Sequence, residues 1–400
     1  MRILWFVNLA ILLAFVKIFE TPPLIPILAG DLSISYEQAG IFMTAYALVR
    51  CLASAPAGYV TDRWGVVPVV MVSLILVGVC GFAGTLGSNY PIMLVLRVLV
   101  SLGAAAIFIA AIDAIPKFMS ADRVGRGIGL INVSLNVGIT AALFLTPILA
   151  DVYGWRWTAR IYSGAFLLLF VASLPLLRAR VPAMRQVNAA DRAETYSFAY
   201  LLGDPFVILL GIATCVLFIE IYGVMTWVPA YLKDVLGFSP AEIGTSAMMF
   251  GLAAIPSSML TGYLCTSLRR VLWLSLSGGL ICGLGILGLM SWSGITPLGA
   301  AIVIAALTWG HSQVVVTIMD LTALIVPPHS TGKALGVVFT VGYGGSILST
   351  YLGGYLVTRS GNYDSSFIVF ASAAFVSSAA MWVVYSLLKR RPPVHFSLGG

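Results

Sequence analysis

Eight ionisable side chains interrupt stretches that are otherwise apolar: Lys17, Glu20, Arg50, Arg97, Asp113, Glu220, His311 and Asp320. A charge in hydrocarbon costs several kcal/mol, about 3 on insertion scales, so each of these residues needs a partner or a use. Three are cations, and Lys17, Arg50 and Arg97 could neutralise an anion. Glu20 or Glu220 could take up and release a proton. Desolvation raises a carboxylate's proton affinity, and a nearby cation lowers it. An anion reaching the cation would therefore change the acid's proton affinity, which is a coupling step. Arg97 and His311 complete this proton-handling set. The competing reading is static: Lys17 pairs with Glu20 at i,i+3, Arg97 takes a helix partner, and His311 bonds across helices.

Other polar and aromatic residues flank these charges. Tyr46 lies one turn before Arg50, and Trp227 lies seven residues after Glu220. Both could wall a substrate site. Asn132, Asn136 and Thr140 recur at i,i+4,i+8, and Gln313, Thr317 and Asp320 form a second stripe. Such stripes face a wet path or glue helices together. The expected substrate contacts are Lys17, Arg50, Tyr46, Asn136, Trp227 and Gln313. Cys51, Cys80, Cys215, Cys265 and Cys282 all sit in apolar stretches and read as small core residues. With only His311, His329 and His395 beside them, no spacing suggests a metal site, a disulfide framework or paired haem ligation. No metal and no cofactor is expected.

The elements that position these residues follow from composition. The chain has 400 residues, of which 60% are hydrophobic and only 9% charged. A soluble surface needs roughly 25% charged residues, so this chain is built for another solvent. A membrane-crossing helix takes about 20 apolar residues. Twelve spans are expected: 3–28, 37–60, 66–87, 91–114, 124–149, 157–177, 203–231, 241–264, 271–292, 297–325, 333–356 and 365–388. The N-terminal run outlasts a signal-peptide core and no small-residue cleavage site follows, so it reads as the first span. A polar linker, 178–202, divides a first half, 1–177, from a second, 203–388, and a tail, 389–400, closes the chain. Of the 22 Lys and Arg residues, fifteen fall on the side of the termini and the 2–3, 4–5, 6–7, 8–9 and 10–11 loops. Four fall on the opposite side and three lie within spans. Both termini are therefore expected in the cytoplasm, which also accounts for the net charge of +7.

The second half repeats the first. A shift of 204 places Ser35 on Ser239, Gly40 on Gly244 and Gly58 on Gly262. After the 2–3 loop the shift becomes 207 and places Asp113 on Asp320. Of the eleven glycines between 65 and 154, eight find a glycine partner, where chance gives about one. Close helix approach in lipid needs small residues, and halves that pack alike need them at the same places. Such halves are related by an axis along the membrane normal, with a site where they meet.

The 2–3 loop reads Gly58-Tyr-Val-Thr-Asp62-Arg63-Trp-Gly65. It resembles the signature loop of the major facilitator superfamily, with Val66-Val67 in place of the usual basic pair. Arg97 through Gly103 looks like the family's fourth-helix arginine motif, with Ser101 where glycine is usual. Gly154-Trp155-Arg156-Trp157 looks like its 5–6 turn. The second-half loop carries Thr266 and Ser267 in place of the acid and the base. The fifth span, from Gly138 to Pro147, lacks the Gly-Pro pair of many family exporters. The resemblance implies an all-α membrane fold of twelve transmembrane helices in two pseudo-symmetric six-helix halves. It also implies gating by Gly58, Asp62, Arg63, Gly65 and Asp113, with Arg63 paired to Asp113. The alternative partner of Asp113 is Lys117, four residues on.

No zinc-protease helix, nucleophile elbow or nucleotide-binding loop is present, so an enzyme is not expected. Nothing basic and aromatic suggests nucleic acid. The expectation is a secondary carrier working by alternating access, monomeric, in a lipid bilayer that is a bacterial inner membrane. Its cargo is a small, anionic molecule moved with a proton. The alternative is a proton-driven exporter of drugs or other amphipathic compounds, against which the three intramembrane cations argue.

Overall fold

The computed structural model describes residues 2–119, 123–178, 196–292, 294–327 and 330–390. Most of the expected linker, most of the tail, His329 and His395 lie outside the described residues. The helices are α1 (Arg2–Phe19), α2 (Thr21–Leu32), α3 (Tyr36–Trp64), α4 (Val66–Ala83), α5 (Tyr90–Phe118), α6 (Val124–Tyr153) and α7 (Trp155–Arg178). They continue with α8 (Phe198–Gly203), α9 (Pro205–Asp234), α10 (Pro240–Ala247), α11 (Met249–Leu252) and α12 (Ala254–Leu264). The last four are α13 (Leu268–Ser291), α14 (Pro297–Ile325), α15 (Thr331–Ser360) and α16 (Asp364–Arg390). Among the described residues there is no strand. Eleven helical stretches are long and apolar enough to cross a membrane, and α3, bent by 59° between Ala53 and Pro56, makes twelve.

The start and stop signals are written locally and written twice. Ser35 opens α3 with a capping box to Gln38, and Ser239 opens α10 with one to Glu242. Each pair satisfies two orphan backbone groups at a helix start. Asn89 caps α5 and Thr296 caps α14. Gly154 ends α6 at φ 79° and Gly361 ends α15 at φ 71°, a backbone region that only glycine enters cheaply. The bounds of α5 and α14, and of α6 and α15, differ by 207 at both ends.

Two expected spans differ in detail. The first, read as one helix over 3–28, breaks at Glu20 into α1 and α2. Pro22 and Pro23 have no N–H, so the carbonyls of Ile18 and Phe19 lose their i+4 donors. The eighth, read over 241–264, is assembled from α10, α11 and α12.

The chain forms two compact units, one of residues 1–185 with 226–252, the other of 186–225 with 253–400. In the first, α1 packs on α6 and α5, α4 on α5 and α7, and α3 on α5, while α10 and α11 lie against α6. In the second, α13 packs on α14 and α16, α12 on α14, and α15 on α16.

Glycine contacts sort the repeat. Gly78 and Gly285, Gly103 and Gly310, and Gly138 and Gly345 each abut a neighbouring helix so closely that a Cβ would collide with it. These pairs bear out the packing argument. Gly125 and Gly332, and Gly129 and Gly336, face open space, so packing does not explain them.

Candidate functional site

The break in α1–α2 creates the first part of the site. Arg97, on α5, donates from Nη1 to the Lys17 carbonyl at 3.2 Å and from Nη2 to the Ile18 carbonyl at 3.1 Å. Its Nε donates to the Phe42 carbonyl at 3.2 Å. The guanidinium thus supplies the donor that Pro22 cannot give to Ile18. Arg97 ties the broken span to α3 and α5.

Lys17 turns into the core of the first unit. Its Nζ lies 2.7 Å from Glu20 Oε1 and donates to the Ala159 carbonyl at 3.2 Å. Lys17 is 2% exposed and Glu20 is 6% exposed. Glu20 Oε2 has no hydrogen-bond partner among the described residues. The pair and Arg97 line a cavity of about 80 Å³, together with Thr21, Thr85, Gly81, Gly84 and Trp155. That is room enough for polar groups of water size and larger.

Arg50 is held elsewhere in the same unit. It donates to the Tyr46 hydroxyl, and its guanidinium stands 4.0 Å from the centre of the Phe108 ring. The rings of Phe15 and Tyr46 are 5.7 and 5.9 Å away. Three aromatic faces stabilise the cation.

The second unit carries Glu220, His311 and Cys282. His311 Nδ1 is 3.7 Å from Glu220 Oε1, too long for a hydrogen bond. Glu220 is fully buried, and neither of its carboxylate oxygens finds a donor among the described residues. Gly138 abuts the Leu12 carbonyl and Gly345 the Cys215 carbonyl. Leu12 and Cys215 are therefore equivalent, a shift of 203 that sets Glu220 opposite Lys17. The same place in the repeat carries opposite charges.

The remaining expected residues are scattered. Trp227 is fully buried beside Tyr36, with ring centres 6.2 Å apart. Asn136 donates its amide to the Asn132 carbonyl of its own helix, and its backbone abuts Gly251. Thr140 also stands against Gly251, and its hydroxyl donates to the Asn136 carbonyl. Gln313 is buried, with Oε1 lacking a partner among the described residues. Lys117, not Arg63, takes Asp113, and its Nζ also lies 3.0 Å from Asp62. The expected Arg63–Asp113 pair is corrected to the local one. Arg63 is exposed, and a four-residue step along one helix turn suits a lysine. Burial works against the Lys117 charge, but its hydrogen bonds to Asp113 and Asp62 outweigh this and raise its pKa. Gly65, at φ 87°, requires glycine; Gly58 makes only ordinary contact. The sequence missed Ala159, whose carbonyl carries no side-chain signal, and Cys282, read as plain core.

The helical repeat, the buried charges and the Gly65 turn meet one family description. Residues 7–350 match the model of the Major Facilitator Superfamily. The chain belongs to the Major Facilitator Superfamily. Members of this superfamily are transporters, not enzymes, and the curated relatives found carry such names. A "probable sulfoacetate transporter" of Cupriavidus necator is 23% identical, over 91% of this chain and 88% of that one. A gentisate transporter of Corynebacterium glutamicum is 23% identical, over 92% and 84%. A "probable nitrate/nitrite transporter" of Mycobacterium tuberculosis is 24% identical, over 93% and 92%. The crystal structure of a bacterial homologue of the lysosomal transporter Spinster, inward-facing and occupied, has the same fold. Its TM-score is 0.78 at 16% identity, covering 97% of this chain and 96% of that one.

Proposed function

We propose that this carrier moves a small anion, an organic acid or an inorganic oxyanion, together with a proton. One observation carries the reading: the Lys17–Glu20 pair lines a cavity, and Glu20 keeps a second oxygen without a donor. The three relatives named for anions support the cargo class. An incoming anion competes with Glu20 for Lys17. Once Lys17 turns to the anion, Glu20 is a buried carboxylate short of counter-charge. Desolvation then outweighs attraction and its proton affinity rises. Anion and proton bind together, and by linkage each strengthens the other's binding. Arg97 stays on its carbonyls and fixes the geometry. The caged Arg50 offers a second cation beside Tyr46. Two six-helix halves rocking against each other would carry the load across, in a bacterial inner membrane with both termini in the cytoplasm.

Uptake into proteoliposomes under an imposed proton gradient tests this, screened over sulfonates, aromatic acids and nitrate. Anion accumulation should follow the gradient. The Glu20→Gln carrier should exchange anion across the bilayer but not concentrate it. A Glu20→Gln carrier that still concentrates its substrate would remove the proton role from Glu20, and flux of cations alone would end the anion reading.

A further inference from the structure

The second unit holds a cluster that the anion reading does not use. Glu220 on α9, Cys282 on α13 and His311 on α14 bring a carboxylate oxygen, a thiol sulfur and an imidazole nitrogen within 4.8 Å of one another. All three residues are buried. Neither oxygen of Glu220, nor His311 Nδ1, has a hydrogen-bond partner among the described residues. Buried polar atoms without protein partners need a cause, and binding an ion is one of the few on offer. Cys282 donates only to the Leu307 carbonyl, at 3.3 Å.

We propose that these three side chains bind a divalent transition metal of borderline softness, Zn²⁺ being the best fit. The donor set is one O, one N and one S, which such ions accept together. Ligand atoms around a tetrahedral Zn²⁺ stand roughly 3.3–3.8 Å apart, from bonds of about 2.0–2.3 Å. From separations within 4.8 Å, the donor atoms need shifts of about 1 Å to reach that spacing. Charge favours the ion as well. Metal entry displaces the thiol proton to solvent, and carboxylate and thiolate together cancel the two positive charges. A neutral complex is cheaper to bury than a lone charge. Thr308, one turn before His311 on α14, also carries a buried hydroxyl without a hydrogen-bond partner among the described residues. The bound ion would clip α9, α13 and α14 together inside one unit. It would also give Glu220 and His311 a use other than the proton role expected from the sequence.

The test is spectroscopic and does not depend on transport. The tag-free, chelator-stripped carrier in detergent is titrated with Co²⁺ and then with Zn²⁺. A second protein has Cys51, Cys80, Cys215 and Cys265 replaced by Ala, leaving Cys282 alone. Both should bind one Co²⁺ per chain and show a thiolate-to-cobalt charge-transfer band, which Zn²⁺ then abolishes. Cys282→Ser should lose the band, and His311→Gln should weaken Co²⁺ binding at least about tenfold. No band in the unmodified carrier, or a band that survives Cys282→Ser, would overturn the proposal.

Discussion

A buried lysine and glutamate three residues apart decide what the first unit can do. Removing one member of such a pair strands the other charge, at a cost of about 3–5 kcal/mol. Lys17→Met should therefore lower the melting temperature sharply, leaving Glu20 without its ammonium partner. Lys17→Met with Glu20→Gln should recover at least half of the loss, because the stranded charge is gone. Thermal unfolding in detergent measures both, and a double variant no better than the single one would show that the two charges are not coupled. Of this site the sequence makes part legible. The i,i+3 spacing announces Lys17 and Glu20, and the i,i+4 spacing announces Asp113 and Lys117. The bond from Lys17 to Ala159, 142 residues away, is invisible because any residue offers a carbonyl. The direction in which Lys17 turns depends on packing, and so does the empty side of Glu20.

At the scale of elements, a proline pair breaks a helix and a remote arginine repairs its hydrogen bonds. Bonds from a charged donor to buried carbonyls are worth about 1.5–3 kcal/mol each. Arg97→Met should thus cost several kcal/mol. In a Pro22→Ala background the cost should shrink, since residue 22 then carries an N–H that can reach the Ile18 carbonyl. Equal costs in both backgrounds would mean that the arginine serves something other than the broken turn. Glycines give a second contrast. A Cβ at Gly138 would stand 2.5 Å from the Leu12 carbonyl oxygen, and α1 would have to move. Gly138→Ala should destabilise by about 1–3 kcal/mol through overpacking. Gly129→Ala meets nothing and should stabilise α6 by about 0.5–1 kcal/mol. Hydropathy places all twelve spans to within a few residues because lipid leaves the backbone no alternative to helix. It misses the break at Glu20, although Pro22 and Pro23 spell it out, because proline is tolerated in many membrane helices.

Across the whole molecule the repeat is a scaffold on which the two copies diverge. Lys117 ties Asp62 to Asp113 in one copy, while in the other Arg270 donates to the Thr266 hydroxyl. A lysine whose pKa is raised keeps its charge throughout the neutral range. Its stabilising contribution is present below the ordinary lysine value and is lost as the pH climbs through the raised one, so this ion pair is intact at neutral pH. The sequence repeat and the packing disagree about one segment. By the repeat, 226–252 belongs with the second half, yet it packs in the first unit. There the Tyr36 hydroxyl donates to Asp234 Oδ2 at 2.6 Å, and Gly244 abuts the Phe144 carbonyl. If the halves rock, these contacts must open once per cycle, because a close-packed interface slides or parts but does not stretch. Tyr36→Cys with Asp234→Cys, made after replacing the five native cysteines, places a thiol on each side. Joining them with a short bifunctional maleimide should stop uptake in proteoliposomes, while either single variant treated alike should retain it. A maleimide linker that contains a disulfide should release the block on reduction. Full uptake by the joined protein would mean that this contact stays shut throughout transport, and that the moving boundary lies elsewhere in the chain.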